Sequence, residues 1–195
     1  MGSERLVQEV FLVGGLRSHL GLQNGIFKNV PPEKLGAALL RQLCIRYPAA
    51  QLILGGNAVG SGGNLTRLMA LIAGFPVETP AITLDMQCAS ALEALSLAWG
   101  KIASGQLDVV LCGGVESSSM QPRRVYQPWG SRYTPEGTMT AQFSPDTNSP
   151  RAMLEGAERT AQVYGVSREE LDSWAVRSHR KAAQAAEEGR LAAWQ

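Results

Sequence analysis

Residues 81–117 read AITLDMQCASALEALSLAWGKIASGQLDVVLCGGVES, and this stretch decides the fold. Ala81 to Leu84 reads as a β-strand, and a helix then runs from about Cys88 to Ser104, closed by Gly105. Asp108 to Cys112 is a second apolar strand, stopped by Gly113-Gly114. These strands are apolar along their length instead of alternating. With a helix between them, they predict a largely parallel sheet covered on both faces. The helix carries small residues at Ala89, Ser90, Ala91, Ala94 and Ala98, which allow close packing in the middle of the fold.

The same pattern extends outward. Upstream, Val10 to Val13 reads as a strand ending at Gly14-Gly15. Pro31-Pro32 opens a helix, since proline is tolerated in the first turn. Leu35, Leu39, Leu40 and Leu43 give that helix an apolar stripe, and Pro48 lies just past its end. Leu52 to Leu54 is another strand, stopped by Gly55-Gly56. A glycine-rich turn at Gly60 to Gly63 follows, and Asn64 is a good N-cap for a helix from Leu65 to Ala73, which Gly74 and Pro76 terminate. Downstream, residues 118–150 are rich in Pro, Ser, Gln, Gly and Thr and read as an irregular excursion, a lid or interface loop. Two helices close the sequence. Ser149-Pro150 starts the first, Tyr164-Gly165 ends it, Ser167 to Glu170 is a capping box for the second, and Gly189 is its stop. The domain division expected is an α/β core over 4–117 and a loop domain over 118–195.

Composition narrows the function classes. Of 195 residues, 45% are apolar, enough to bury a sizeable core. Eighteen Lys and Arg balance 17 Asp and Glu, so no overall charge draws the chain to nucleic acid or an acidic membrane. No apolar run approaches the ~20 residues of a membrane span, and the N-terminus does not read as a secretory signal. Three widely spaced cysteines argue against a disulfide framework and for a reducing, cytoplasmic compartment. No metal-ligand spacing is present, and the Asn64-Leu65-Thr66 sequon reads as chance.

Cys88 is the residue with chemistry to offer. A buried strand runs into a tight turn, and the cysteine sits where the next helix begins. Unpaired helix-start N–H groups and the macrodipole favour a thiolate there. The turn can also present an N–H to a developing oxyanion, as a nucleophile elbow does. Most free cysteines are buried core thiols, and that is the reading for Cys44 and Cys112. For Cys88, local position alone leaves both readings open. Glu93 reads as a solvated helix carboxylate. Arg123, Arg124 and Arg132 are either solvated or subunit-facing loop charges, or contacts for phosphate. The glycine turn at 60–63 lacks the Lys-Ser/Thr of a P-loop.

Several segments carry a family resemblance. Asp85-Met-Gln-Cys88-Ala-Ser-Ala-Leu92 resembles the thiolase nucleophile motif Asn-x-x-Cys-(Gly/Ala/Ser)-Ser-Gly. Residues 105–117 resemble that family's Gly-x-x-Asp-Val-Val-x-Ala-Gly-Gly-x-Glu-Ser, and residues 63–76 its Gly-Gln-Asn-x-Ala-Arg…Ala-Gly-Leu-Pro. Residues 166–172 and 177–183 are similar to Ile-Ser-Arg-Glu-Glu-x-Asp and Arg-Ser-His-x-Lys-Ala-x. The matches are collinear over nearly the whole chain. The resemblance implies a thiolase-like N-terminal half: a mixed, mostly parallel sheet covered by helices on both faces, plus an irregular and helical loop domain.

It also implies chemistry. Cys88 would take an acyl group from a coenzyme A thioester, then pass it to coenzyme A in thiolysis or to an acetyl-CoA carbanion in Claisen condensation. Acyl-CoA and CoA are then substrates, with no separate cofactor. Met153, in Ala152-Met153-Leu154, would contact the pantetheine arm, although the family usually has His-Met-Gly there. Met153 reads equally as a first-turn core residue. Asp85 replaces the usual Asn, Ala91 the usual Gly, and Arg17-Ser-His19 stands where Arg-Thr-Pro is common. The family's second half, with its activating histidine and second cysteine, has no counterpart in these residues. His19 and His179 match none of that second half's motifs, and His179, within the Arg-Ser-His stretch at 177–179, reads as structural. The expected partner is therefore a C-terminal thiolase half, a second copy of the chain, or both. The alternative is a non-catalytic CoA-binding or structural subunit.

Overall fold

The computed structural model describes residues 8–57, 62–139, 141–142, 145, 149–190 and 192. The chain divides into two compact units, Met1–Pro122 and Arg123–Gln195. Gly60 and Ser61 of the glycine-rich turn lie outside the described residues.

The first unit is built on β1 (Leu52–Gly56), β2 (Ala81–Leu84) and β3 (Val110–Gly114), which form a parallel sheet in the order β2-β1-β3. Helices α1 (Pro32–Arg46) and α2 (Leu65–Ala73) cover one face and α3 (Ser90–Ala103) the other. Side-chain alternation explains why the strands are apolar throughout. Ile53, Ala81 and Leu111 pack with α1 and α2, while Leu52, Leu54, Val110 and Cys112 pack with α3. Every residue of β1 is buried. Covering Ile53 and Leu54 completely stabilises the fold by roughly 2 kcal/mol each.

Local signals set the helix ends. The Asn64 side chain accepts from Arg67 N–H at 3.0 Å, and Gly74 closes α2 at φ 95°. Asn64 also donates to the Ala81 carbonyl at 2.8 Å, which ties α2 to β2. The Arg67 guanidinium donates to the carbonyls of Thr79 and Val77 and holds the turn that leads into β2.

Four expectations are corrected. Residues 10–13 form no strand, and Phe11, Leu12 and Val13 are exposed. No described strand lies beside them, and a strand persists only when its backbone groups are paired. Gly55-Gly56 and Gly113-Gly114 do not stop their strands but lie within them, paired Gly55 to Gly113 and Gly56 to Gly114. β3 begins at Val110 instead of Asp108, because the N–H groups of Asp108 and Val109 both donate to the Gln51 side chain. Finally, α3 begins at Ser90, two residues beyond Cys88.

The second unit holds an isolated bridge between Arg124 and Thr138, then α4 (Ala152–Tyr164) and α5 (Arg168–Glu187). Ser167 and Glu170 form a reciprocal capping box at the start of α5. Gly165 and Gly189, both at positive φ, follow the two helices. No described helix is long and apolar enough to cross a membrane.

Candidate active site

Cys88 is exposed, on the turn between the C-terminal end of β2 and the start of α3. Its neighbour Gln87 adopts φ 54°, a left-handed conformation that a side chain rarely takes and that costs roughly 1–2 kcal/mol. The surrounding hydrogen bonds hold it there. Asp85 Oδ1 accepts from Gln87 N–H at 2.9 Å. Ser90 Oγ accepts from Met86 N–H at 2.8 Å and donates to the Gln87 carbonyl at 2.6 Å. Ser90 itself is buried. The chain thus doubles back within a few residues and leaves the cysteine at the apex.

One glycine of each pair, Gly56 and Gly114, makes room for this turn. A Cβ on Gly56 would lie 2.6 Å from both Ala91 N and Ser90 C, closer than real Cβ atoms come to backbone. A Cβ on Gly114 would lie 2.9 Å from the Ala91 methyl. The first turn of α3 therefore rests on a patch of sheet without side chains. The extra methyl of Ala91 is accommodated because Gly114 carries none. Gly113 differs, since a Cβ there would meet nothing within 4 Å.

The C-terminal ends of all three strands contribute to this edge of the sheet, the usual location of sites in parallel α/β folds. Asn57, buried just past β1, donates to the Val115 carbonyl at 2.8 Å and to Glu116 Oε1 at 3.0 Å, and its own N–H donates to Leu84. It therefore links the ends of β1, β2 and β3. Behind β2, the Thr83 hydroxyl donates to Asn64 Oδ1 at 2.8 Å and lies 3.0 Å from Thr66 Oγ1. The strand that carries the turn is fixed from both sides.

The remaining cysteines lie elsewhere. Cys44 packs beside the α1/α2 core, and Cys112 packs beneath α3, where burial pushes its thiol pKa up and keeps it protonated. Among the described residues, no side chain is hydrogen-bonded to the Cys88 thiol. Glu93 is exposed on the first turn of α3. His179 lies on α5, with Nδ1 2.9 Å from the Ala175 carbonyl. Met153, the second residue of α4, is exposed and belongs to the second unit, whereas Cys88 belongs to the first. The Arg123 guanidinium donates to the Glu136 carbonyl, and that of Arg132 lies 5.8 Å from the Tyr126 ring centre.

The two faces of α3 are unlike. Ser90, Ala94 and Ala98 are buried against the sheet. On the other side, Leu92, Leu95 and Trp99 are 68%, 40% and 55% exposed. Large apolar residues thus form a stripe on the outer face of a helix whose inner face is lined by small ones. Sequence inspection singles out Cys88 but misses Gln87, Asn57 and the glycine floor. The signal available for the floor was the repetition of Gly-Gly at two strand ends.

A family model described as "Thiolase, N-terminal domain" matches residues 10–193. A Staphylococcus aureus (strain MRSA252) protein named "Putative acetyl-CoA C-acetyltransferase VraB" is 35% identical over 192 residues, which are 95% of this chain and 50% of that protein. A Bacillus subtilis (strain 168) protein named "Putative acetyl-CoA C-acetyltransferase YhfS" is 39% identical over 180 residues, 91% of this chain and 45% of that one. The crystal structure of the Bacillus anthracis acetyl-CoA acetyltransferase superposes with a TM-score of 0.82 at 30% identity, over 95% of this chain and 50% of that one. The chain spans about half the length of the curated relatives it matches.

Proposed function

The chain belongs to the thiolase family through its N-terminal domain, and on that premise we propose that it supplies the acyl-accepting cysteine of a coenzyme A-dependent acyl transfer. The observation that carries this is Cys88 exposed at the apex of a pinned turn, directly after a left-handed residue. In the proposed reaction the Cys88 thiolate attacks the thioester carbonyl. The carbonyl electron pair moves to oxygen, where the backbone N–H of Cys88 supplies half of the oxyanion site. Collapse expels coenzyme A as thiolate, and the proton that left Cys88 neutralises it. In Claisen condensation the acyl group then passes to the carbanion of acetyl-CoA. In thiolysis the Cys88 thiolate instead attacks the 3-keto carbon of a 3-ketoacyl-CoA, and acetyl-CoA leaves as its carbanion and takes up the proton. Coenzyme A then accepts the acyl group from Cys88 as a new thioester. Covalent capture divides one difficult step into two easier ones. Met153 contacts the pantetheine arm in this scheme.

The scheme needs a base, and it takes it from a complementary thiolase half, in the same polypeptide or another. The exposed Leu92, Leu95 and Trp99 stripe supports such a partner. Similar names among relatives support acetyl-CoA as the acyl donor. Intact mass spectrometry after incubation with acetyl-CoA and the complementary half tests this. A single acetyl adduct that disappears in Cys88→Ala is expected. No adduct, under conditions where a full-length relative acetylates, sinks the proposal. A stable, well-folded monomer, seen by analytical ultracentrifugation at high concentration, would count against the partner.

A second reading is a CoA-binding or structural subunit without turnover. It is favoured by the absence, among the described residues, of any group hydrogen-bonded to the Cys88 thiol. It predicts acyl-CoA binding by calorimetry with no adduct at Cys88.

A further inference from the structure

We infer that Ser90 and Asp85 are positioning residues that fix the Cys88 thiol, acting through the backbone of residues 86–88. This rests on the nucleophile role proposed for Cys88 and deepens it. Gln87 sits in a left-handed conformation that a free chain leaves readily. Two side chains hold it. Ser90, 4% exposed, bonds both sides of the turn, taking the Met86 N–H and giving its proton to the Gln87 carbonyl. Asp85, exposed, takes the Gln87 N–H. Beneath them the Gly56 backbone lies against Ser90 and Ala91, so the turn cannot relax toward the sheet. The turn is thereby braced by a hydrogen bond on its outer side, a buried hydroxyl inside it, and backbone below. Neither side chain needs to touch substrate to control where the sulfur points.

The experiment uses the full chain and follows alkylation of each cysteine by iodoacetamide, resolved by peptide mass. Cys44 and Cys112 are half-buried and report general loosening, while Cys88 reports the turn. Asp85→Ala and Asp85→Asn both remove the charge, but only Asn keeps an acceptor for Gln87 N–H. Their difference isolates the hydrogen bond. Asp85→Ala is expected to slow Cys88 alkylation about fivefold, the loss matched to one net hydrogen bond, with Asp85→Asn close to the parent. Ser90→Ala is expected to slow it at least as much, with Cys44 and Cys112 unchanged. Equal Cys88 rates in Asp85→Ala and Asp85→Asn would overturn the inference. So would a rise at all three cysteines in both Ser90→Ala and Asp85→Ala, since that reports unfolding. Alkylation does not depend on acyl transfer. If the parent fails to acetylate but the Asp85 pair still separates, the catalytic proposal fails and the positioning role stands.

Discussion

The two units of this chain are ordered by different physics. In the first, a middle strand buried on both faces is sandwiched between helices, and each described residue of the buried apolar core lies between Ala37 and Leu111. In the second, no described residue beyond Arg123 is buried, and the helices are defined by their ends: a capping box at Ser167 and left-handed glycines at 165 and 189. Tertiary contacts thus seat the turn around Cys88 on the sheet, beside the local hydrogen bonds that shape it, while local hydrogen bonds alone mark the ends of α4 and α5. Substitutions should divide along the same line. Core changes in the first unit should be costly and cooperative, and changes in the second small and confined to one helix.

The largest expected effect is Ile53→Ala. Ile53 is 2% exposed in the middle strand, and its loss should cost about 4 kcal/mol in urea unfolding. Leu171→Ala, on an exposed face of α5, should change the same midpoint by less than about 0.5 kcal/mol. Equal effects would mean that the second unit is packed against a partner in solution.

Gly56→Ala comes next, at about 3 kcal/mol. The new methyl meets backbone of α3 that cannot swing aside as a side chain would. Gly113→Ala is the control, since its methyl enters open space and should cost less than about 1 kcal/mol. If the pair behaves alike, the glycine floor is not what seats the helix.

Those glycines also mark where the sequence could be read and where it could not. Signals that act within a few residues were legible. Asn64 capped α2, β2 ran from Ala81 to Leu84, Ser167 opened α5, and Gly165 followed α4. Gly55-Gly56 and Gly113-Gly114 look like strand stops because glycine usually interrupts local order. Gly56 and Gly114 answer to a helix that arrives more than thirty residues later in one case and about twenty earlier in the other, and Gly55 faces Thr66 of α2. Val10 to Val13 failed for the mirror-image reason. The pattern suits a strand, but pattern cannot supply a neighbour to pair with. At the candidate site, Cys88 was visible from its place after a strand, whereas Gln87 was not. Nothing in a glutamine announces positive φ, which here follows from the Asp85 and Ser90 hydrogen bonds.

A smaller effect is expected at the cap of α5. Ser167→Ala removes the acceptor for Glu170 N–H and should cost about 1 kcal/mol. The loss should appear as faster amide exchange in the first turns of α5, with α2 and α3 unaffected. Exchange spreading into the first unit would show that the two units unfold together.

The smallest effect is electrostatic and concerns the other half of that cap. Glu170 Oε2 accepts from Ser167 N–H at 2.8 Å, and this bond holds the carboxyl pKa below its ordinary value. A depressed folded-state pKa means the unfolded chain binds the proton more readily. The cap's contribution is therefore complete above the ordinary glutamate range and is lost as pH falls from that range through the lowered folded value. Amide chemical shifts of residues 167–171, followed through an acid titration, should show α5 fraying at its start before the first unit responds. In Glu170→Gln the side-chain carbonyl can still accept from Ser167 N–H but carries no proton to titrate. The fraying should then lose its pH dependence while the helix start remains in place at neutral pH. An unchanged titration in Glu170→Gln would move the acid sensitivity to another carboxylate and leave the cap held by Ser167 alone.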